Sequence, residues 1–294
     1  MGCPLCKYGI SRPGWIGSTF YGGKEFRYSQ CLGCRSLYAD PMPDRVTLKA
    51  MYGPEYETPK NPTAPVDDPK DPRRIIDWLR ELGTGVFIDF GCGAGALLSA
   101  ARQLNWEPIG VELDAVRAAL VQRRTGVRVV TDPSVLLNGD SGTADVIHLG
   151  DVIEHLTELD QQMPEIVRLM KPGGLLLAQG PLEANACPFT WALRLSRCVG
   201  RWRRTEMPPY HVLLATAEGQ RALFNRVGLR ELQYVVTEVA WPAPSRLERG
   251  DWKRPRRAGM WALRRCSQVV SKLRPGTWGN RYFYAGRRRP IECG

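Results

Sequence analysis

Two hydrophobic rhythms alternate along most of the chain. Short apolar runs at 86–89, 108–112, 127–130, 144–149 and 175–179 read as buried strands. Between them, apolar residues recur at helical spacing over 94–104, 114–124 and 158–170. Ahead of the first strand, residues 73–82 place Ile75, Ile76, Leu79 and Leu82 on one face, and Gly83 ends that helix. Asp114 stands where a helix N-cap belongs, and Lys171-Pro-Gly-Gly174 predicts a tight turn feeding the strand at 175–179. Strands alternating with helices in this way predict an α/β domain built on a mostly parallel sheet. A capped helix at 216–227, ended at Gly228, leads to a strand at 230–236. The antiparallel partner expected for that strand is 281–285, which completes seven strands and leaves 240–280 as an insertion.

The N-terminal part has no such alternation. Cys3 and Cys6 form one CxxC pair, Cys31 and Cys34 a second, with 24 residues between them. Gly22-Gly23 and the alternating Phe26-Arg27-Tyr28 fit a hairpin between the pairs. The expectation is a zinc ribbon, in which all four thiolates are spent on one structural Zn2+ and no open position is left for catalysis. The alternative is two redox pairs, although neither pair opens a helix within a βαβ unit. Six prolines between positions 54 and 72 mark a linker. The expected division is a ribbon with its connecting helix at 1–55, a linker at 56–72, and an α/β domain at 73–294.

The chemistry concentrates where the first strand ends. Glycines at 91, 93 and 95 let the backbone turn sharply, and the helix behind them favours negative charge at its start. Glu112 closes the next strand, where a carboxylate can take both hydroxyls of a ribose. Alone, residues 91–96 also fit the glycine pattern of a nicotinamide dinucleotide site. The set as a whole resembles the class I S-adenosylmethionine (SAM) dependent methyltransferases. The resemblance rests on DxGxGxG at 89–95, GVE at 110–112, ADVIHLGDVIEHL at 144–156 and LMKPGGLLLA at 169–178. It implies a doubly wound, Rossmann-like seven-stranded sheet, with the cofactor contacted by Asp89, Gly91, Cys92, Gly93, Gly95, Glu112, Leu113, Asp132 and Asp151. For Asp132 the resemblance implies a contact to the adenine amino group; capping the helix that follows explains the residue equally. Small size at a tight turn explains Cys92 better than nucleophilic chemistry does.

Residues 37–56 resemble the segment that joins an N-terminal zinc ribbon to the catalytic domain in a group of bacterial methyltransferases. They depart from the ribbon-bearing rRNA guanine methyltransferases, so the ribbon gives little support for RNA binding. The chain has three histidines. His148 lies inside a strand and reads as a core residue. His155 and His211 occupy places where, in related enzymes, a histidine approaches the acceptor, and both are candidate general bases. Asp151, Glu154 and His155 also resemble a divalent-metal loop of quinone-pathway O-methyltransferases.

Charge adds one more feature. The net charge is +11, yet residues 240–294 carry fourteen Lys and Arg against three Asp and Glu, so the first 239 residues balance. Residues 181–209 hold Trp191, Trp202 and five arginines, a basic, aromatic cover suited to an anionic or sugar-phosphate acceptor. Within 240–280, Trp261, Leu263, Val269, Val270 and Leu273 interleave with Arg264, Arg265 and Lys272. A helix lying on anionic lipid has that pattern, and so does one packed on its own domain. No signal-peptide pattern follows the start, so the expected location is cytoplasmic, with peripheral contact to the inner face of the membrane left open. The expected acceptor is a small molecule, a hydroxyl of a sugar, glycolipid or natural product. The alternative is RNA or protein, held by the ribbon and the basic tail.

Overall fold

The computed structural model describes residues 2–51, 72–139, 141–198, 209–239, 247, 248 and 250–290. The proline-rich linker, Trp202 and three of the five arginines at 194–204 (Arg201, Arg203 and Arg204) lie outside them. In chain order, the N-terminal part holds β1 (Ser11–Pro13), β2 (Thr19–Tyr21), β3 (Lys24–Cys31), β4 (Leu37–Asp40) and α1 (Arg45–Met51). Next come α2 (Pro72–Leu82), β5 (Val86–Phe90), α3 (Ala96–Gln103), β6 (Glu107–Val111), α4 (Ala115–Thr125) and β7 (Arg128–Val130). These lead to α5 (Ser134–Gly139), β8 (Ala144–Gly150), α6 (Leu159–Leu169), β9 (Met170–Pro181) and α7 (Pro188–Cys198). The last are β10 (Leu213–Leu214), α8 (Ala217–Arg226), β11 (Leu229–Thr237), α9 (Pro255–Leu273) and β12 (Arg281–Arg288).

Two compact units divide the chain: residues 1–69, 181–222 and 235–282 form one, and 70–180, 223–234 and 283–294 the other. The second carries the seven-stranded sheet, in the order β11-β12-β9-β8-β5-β6-β7. Parallel ladders join β7 to β6, β6 to β5, β5 to β8 and β8 to β9. Phe87, Ile88, Ile147, Leu176 and Leu177 are fully buried along these strands, as both-sided coverage of a parallel sheet requires. β11 and β12 are neighbours, as their apolar patterns predicted. The turn expected at Lys171–Gly174 is instead part of β9, which runs unbroken from Met170 to Pro181. A register shift opposite Ala144 and Val146, with Gly173 at φ 77°, absorbs the kink inside the strand.

In the first unit, β2 and β3 form a hairpin through Gly22 and Gly23, both in the left-handed region, as expected. β1, β3, β4 and β10 form one sheet, with Leu213 opposite Tyr38 and Leu214 opposite Leu37. A side-chain lock stands next to this pairing. Thr216 Oγ1 donates to the Cys34 carbonyl at 2.7 Å, and the Thr216 N–H donates to Ser36 Oγ at 3.0 Å. The same Thr216 Oγ1 accepts the Gly219 N–H at 3.1 Å, capping the first turn of α8.

Gly219 sits against the second cysteine knuckle so closely that a Cβ there would lie 2.3 Å from Ser36 Oγ and 3.1 Å from Cys34 Sγ. Gly219→Ala is expected to lower stability by about 1–3 kcal/mol through overpacking. Urea unfolding of the full chain measures it, and an unchanged midpoint would show that the knuckle and α8 yield to each other freely.

Candidate functional site

β5 lies between β6 and β8, so successive strands leave it in opposite directions, and the crevice beyond its carboxyl end is the switch point of the sheet. The predicted cofactor residues gather there. Residues 91–95 follow β5, Glu112 and Leu113 follow β6, Asp132 lies just past β7, and Asp151 follows β8. The glycine loop is closed by backbone bonds: the Gly91 and Cys92 N–H groups donate to the Val111 carbonyl at 2.8 and 3.2 Å. Gly91, Gly93 and Gly95 hold φ of 66°, 51° and 73°, conformations a side chain resists. At Gly95 space is also lacking, because a Cβ would lie 2.6 Å from Val121 Cγ1. Cys92 turns inward and joins Leu98, Val121 and Val127 in a buried cluster, in keeping with a small packing residue.

Glu112 is half-buried and its Oε1 accepts the Asp114 N–H at 3.2 Å, while Leu113 is 74% exposed. Asp114 caps α4 by accepting from Val116 and Arg117. Asp132 is exposed, and its Oδ1 accepts the Ser134 N–H at 2.9 Å, the capping role that the sequence offered beside the adenine contact. Asp151 holds φ 53°, unusual for a residue other than glycine, directly at the carboxyl end of β8. His155 closes a short 3-10 turn at Ile153–His155, half-buried, with its Nε2 4.0 Å from Glu154 Oε1. Asp151 does not join Glu154 and His155 in any group of donors close enough to share an ion among the described residues.

Beneath the loop lies a network that the spacing of residues did not predict. Asp89 and His148 are directly opposite in the parallel register of β5 and β8, and each is 2% exposed. His148 Nδ1 lies 2.7 Å from Asp89 Oδ1, and Gln179 Nε2 lies 3.2 Å from His148 Nε2. An amide donating to Nε2 leaves the ring proton on Nδ1, donated to the carboxylate. The buried charge of Asp89 is thereby answered inside the protein. The signal was present in the sequence, since Asp89 and His148 occupy equivalent places near the ends of neighbouring strands.

In the other unit, His211 Nδ1 lies 2.8 Å from Glu183 Oε2, and the Tyr28 hydroxyl donates to the His211 carbonyl at 2.7 Å. Burial, and then the charge of Glu183, push the Tyr28 phenol well above its ordinary range. The pairing with Glu183 lies 28 residues away in sequence and carried no local signal. Arg194 stacks over Trp15 at 5.0 Å and donates to the Ala184 carbonyl at 3.2 Å. The four cysteines of the two CxxC pairs converge: Cys3 and Cys34 sulfurs are 3.7 Å apart, Cys6 and Cys31 3.5 Å, and all four lie within 4.8 Å of one another. Tetrahedral Zn–S bonds of about 2.3 Å require sulfurs about 3.8 Å apart, so the donor set fits that ion. The adjacent Cys3 sulfur and burial push the Cys34 thiol up, and burial does the same to Cys31. A bound cation would reverse that, since metal ligation takes the thiolate form.

A glycine loop at the switch point, followed one strand later by a half-buried carboxylate, is the arrangement that nucleoside-binding α/β domains share. A family model described as a methyltransferase domain matches residues 68–234, and the chain belongs to that family. Over 160 residues it is 32% identical to the ribosomal protein L11 methyltransferase of Photobacterium profundum, covering 52% of this chain and 51% of that protein. Over 188 residues it is 26% identical to an uncharacterized methyltransferase of Mycobacterium bovis, covering 58% of this chain and 93% of that one. A SAM dependent methyltransferase from Archaeoglobus fulgidus aligns with 74% of this chain and 95% of its own, at 15% identity and a TM-score of 0.46. The chain spans about half the length of the ribosomal-protein methyltransferases it matches.

His148→Leu keeps the bulk under the loop and removes the partner of a buried carboxylate. It is expected to cost about 3 kcal/mol or more in urea unfolding. The double variant Asp89→Asn/His148→Leu is expected to cost less than the two single changes added together, which a double-mutant cycle reads directly.

Proposed function

We propose that the protein is a SAM-dependent methyltransferase that methylates a small-molecule acceptor, a hydroxyl of a sugar, glycolipid or natural product. The observation that carries the reading is the left-handed glycine loop at the switch point with Glu112 at the end of the next strand, in a chain of the methyltransferase-domain family. The open loop and the start of α3 suit the carboxylate end of the donor, and Glu112 suits its ribose hydroxyls. Leu113 and Asp132 would border the adenine, and Asp151 the methionine portion. When bound, SAM supplies an electrophilic methyl group for direct displacement, so the chain's own task is orientation and removal of one proton.

His211 is the base in this reading. Its carboxylate partner favours the tautomer with the proton on Nδ1, which leaves Nε2 with a lone pair to accept the proton of an acceptor hydroxyl. Glu183 also stabilises the imidazolium that results. His155 is the second candidate and has a looser carboxylate neighbour. Cys3, Cys6, Cys31 and Cys34 would hold one structural Zn2+, closed to substrate, that fixes the knuckles docked on Thr216.

The identity to a ribosomal protein methyltransferase supports a second reading, in which the acceptor is a protein. Purified full-length protein given methyl-labelled SAM and a cell extract separates the two. Label in the small-molecule or glycolipid fraction supports the first reading; label in protein or RNA replaces it. Once an acceptor is in hand, His211→Ala is expected to cut turnover at least tenfold with SAM affinity retained, and Glu183→Gln to shift the pH profile with a smaller loss. Turnover unchanged in His211→Ala would remove that residue from the mechanism and leave His155. Metal analysis is expected to find one zinc per chain, and a strong chelator to unfold the ribbon sheet while the seven-stranded sheet persists.

A further inference from the structure

α9 is built inside out. Its buried positions are Arg264, Ser267 and Ser271, whereas Gly259, Ala262, Cys266, Val269 and Leu273 are exposed. Those five recur at intervals of three and four residues, which draws one apolar stripe along the outward face of the helix. Val269 is 58% exposed and Leu273 74%, and Trp252, just ahead of the helix, is 66% exposed. A helix that merely packs on its own domain turns such a stripe inward. Here the fully buried positions are polar and bonded, with Met260, Leu263 and Val270 half-buried beside them: Arg264 pairs with buried Glu238, and Ser271 donates to the Trp278 carbonyl at 2.7 Å. The outward stripe is therefore not a consequence of a failed core.

Cations flank the stripe. At 100° per residue, Arg265 and Lys272 lie along one side and Arg256 and Arg274 along the other. At the start of the helix, Lys253, Arg254, Pro255, Arg256 and Arg257 line an open cup of about 460 Å³. Between Asp251 and Glu292 the sequence holds no acidic residue. Trp252 packs edge-on against Trp261 at 5.6 Å, and Arg265 lies over Trp261 at 5.5 Å. No helix among the described residues is long and apolar enough to cross a membrane.

We infer that the outward face of α9, with the Trp252 turn and the basic cup at its start, docks on an anionic phospholipid surface. The stripe enters the acyl boundary, Trp252 sits at headgroup depth, and the flanking arginines and lysines meet lipid phosphates. The apolar stripe separates this occupant from a nucleic acid, whose phosphates call for the cations and leave Val269 and Leu273 with nothing to cover them. A second copy of the chain would bring the two basic margins of each helix against their like, at an electrostatic cost. The surface does not depend on which acceptor the methyltransferase uses.

Flotation of the full chain with vesicles tests this. The wild-type protein is expected to float with phosphatidylglycerol–phosphatidylcholine vesicles, more weakly as salt rises, and not with phosphatidylcholine alone. Val269→Glu/Leu273→Glu changes only exposed side chains and is expected to weaken binding at least about tenfold. Arg265→Glu/Lys272→Glu should weaken it by about fivefold or more per charge. SAM binding, measured alongside, reports that each variant is folded. Absence of flotation with the anionic vesicles, equal binding to neutral ones, or full binding by Val269→Glu/Leu273→Glu would overturn the inference. So would a self-association, seen by sedimentation, that the same double variant abolishes.

Discussion

A carboxylate enclosed in the floor of a parallel sheet must have its charge answered there, and Asp89 imposes that demand at the place where the chain turns into its glycine loop. His148 and Gln179 meet it from the next two strands, so three strands are tied together below the loop by one chain of hydrogen bonds. The loop above depends on this. Its two closing bonds reach the Val111 carbonyl, so its shape is set by the register of β6 against β5, and that register runs through Asp89 itself. Stability and ligand geometry thus share one constraint: a residue placed to hold strands also fixes where the backbone N–H groups of the loop point.

The cysteine ribbon is bound into its unit by different means. It has few fully buried large side chains, Leu5, Phe26 and Leu37 among them, and a core of that size gives little on its own. Sulfur convergence and the Thr216–Ser36–Cys34 lock supply what the core lacks. Tyr28 extends the same attachment to the backbone of His211, and Glu183 fixes the ring, so the imidazole proposed as the base is held at both its main chain and its side chain. A histidine on an irregular segment acquires in this way the definition that a helix or strand would give it.

Much of the α/β unit was legible because burial imposes a period on sequence. The five parallel strands, the glycine loop and the Asp114 cap all follow from residue type and spacing. The Lys171–Gly174 segment misled because proline and paired glycines are turn residues, and only the pairing of Met170 with Ala144 reveals a strand bent by a bulge. The Glu183–His211 pair and the buried Glu238–Arg264 pair were illegible for another reason. Each joins residues that no local period relates, and a charged residue in sequence reads as solvated until its partner is seen. α9 lay between these cases: its apolar spacing was evident, but which face met solvent could be learned only from the residues that bury it.

The ribbon sheet also has a consequence for the order in which the protein is made. β4 leaves the ribosome well before its partner β10 at Leu213–Leu214, which follows the whole five-strand parallel core. Until then β4 presents an open edge, with Leu37 and Tyr38 uncovered, to whatever else is nearby. The nascent chain must therefore keep that edge waiting while later segments fold, and the β2–β3 hairpin and the cysteine knuckles that precede β4 are local enough to form in the interval. A sheet whose other strands are made early is completed late.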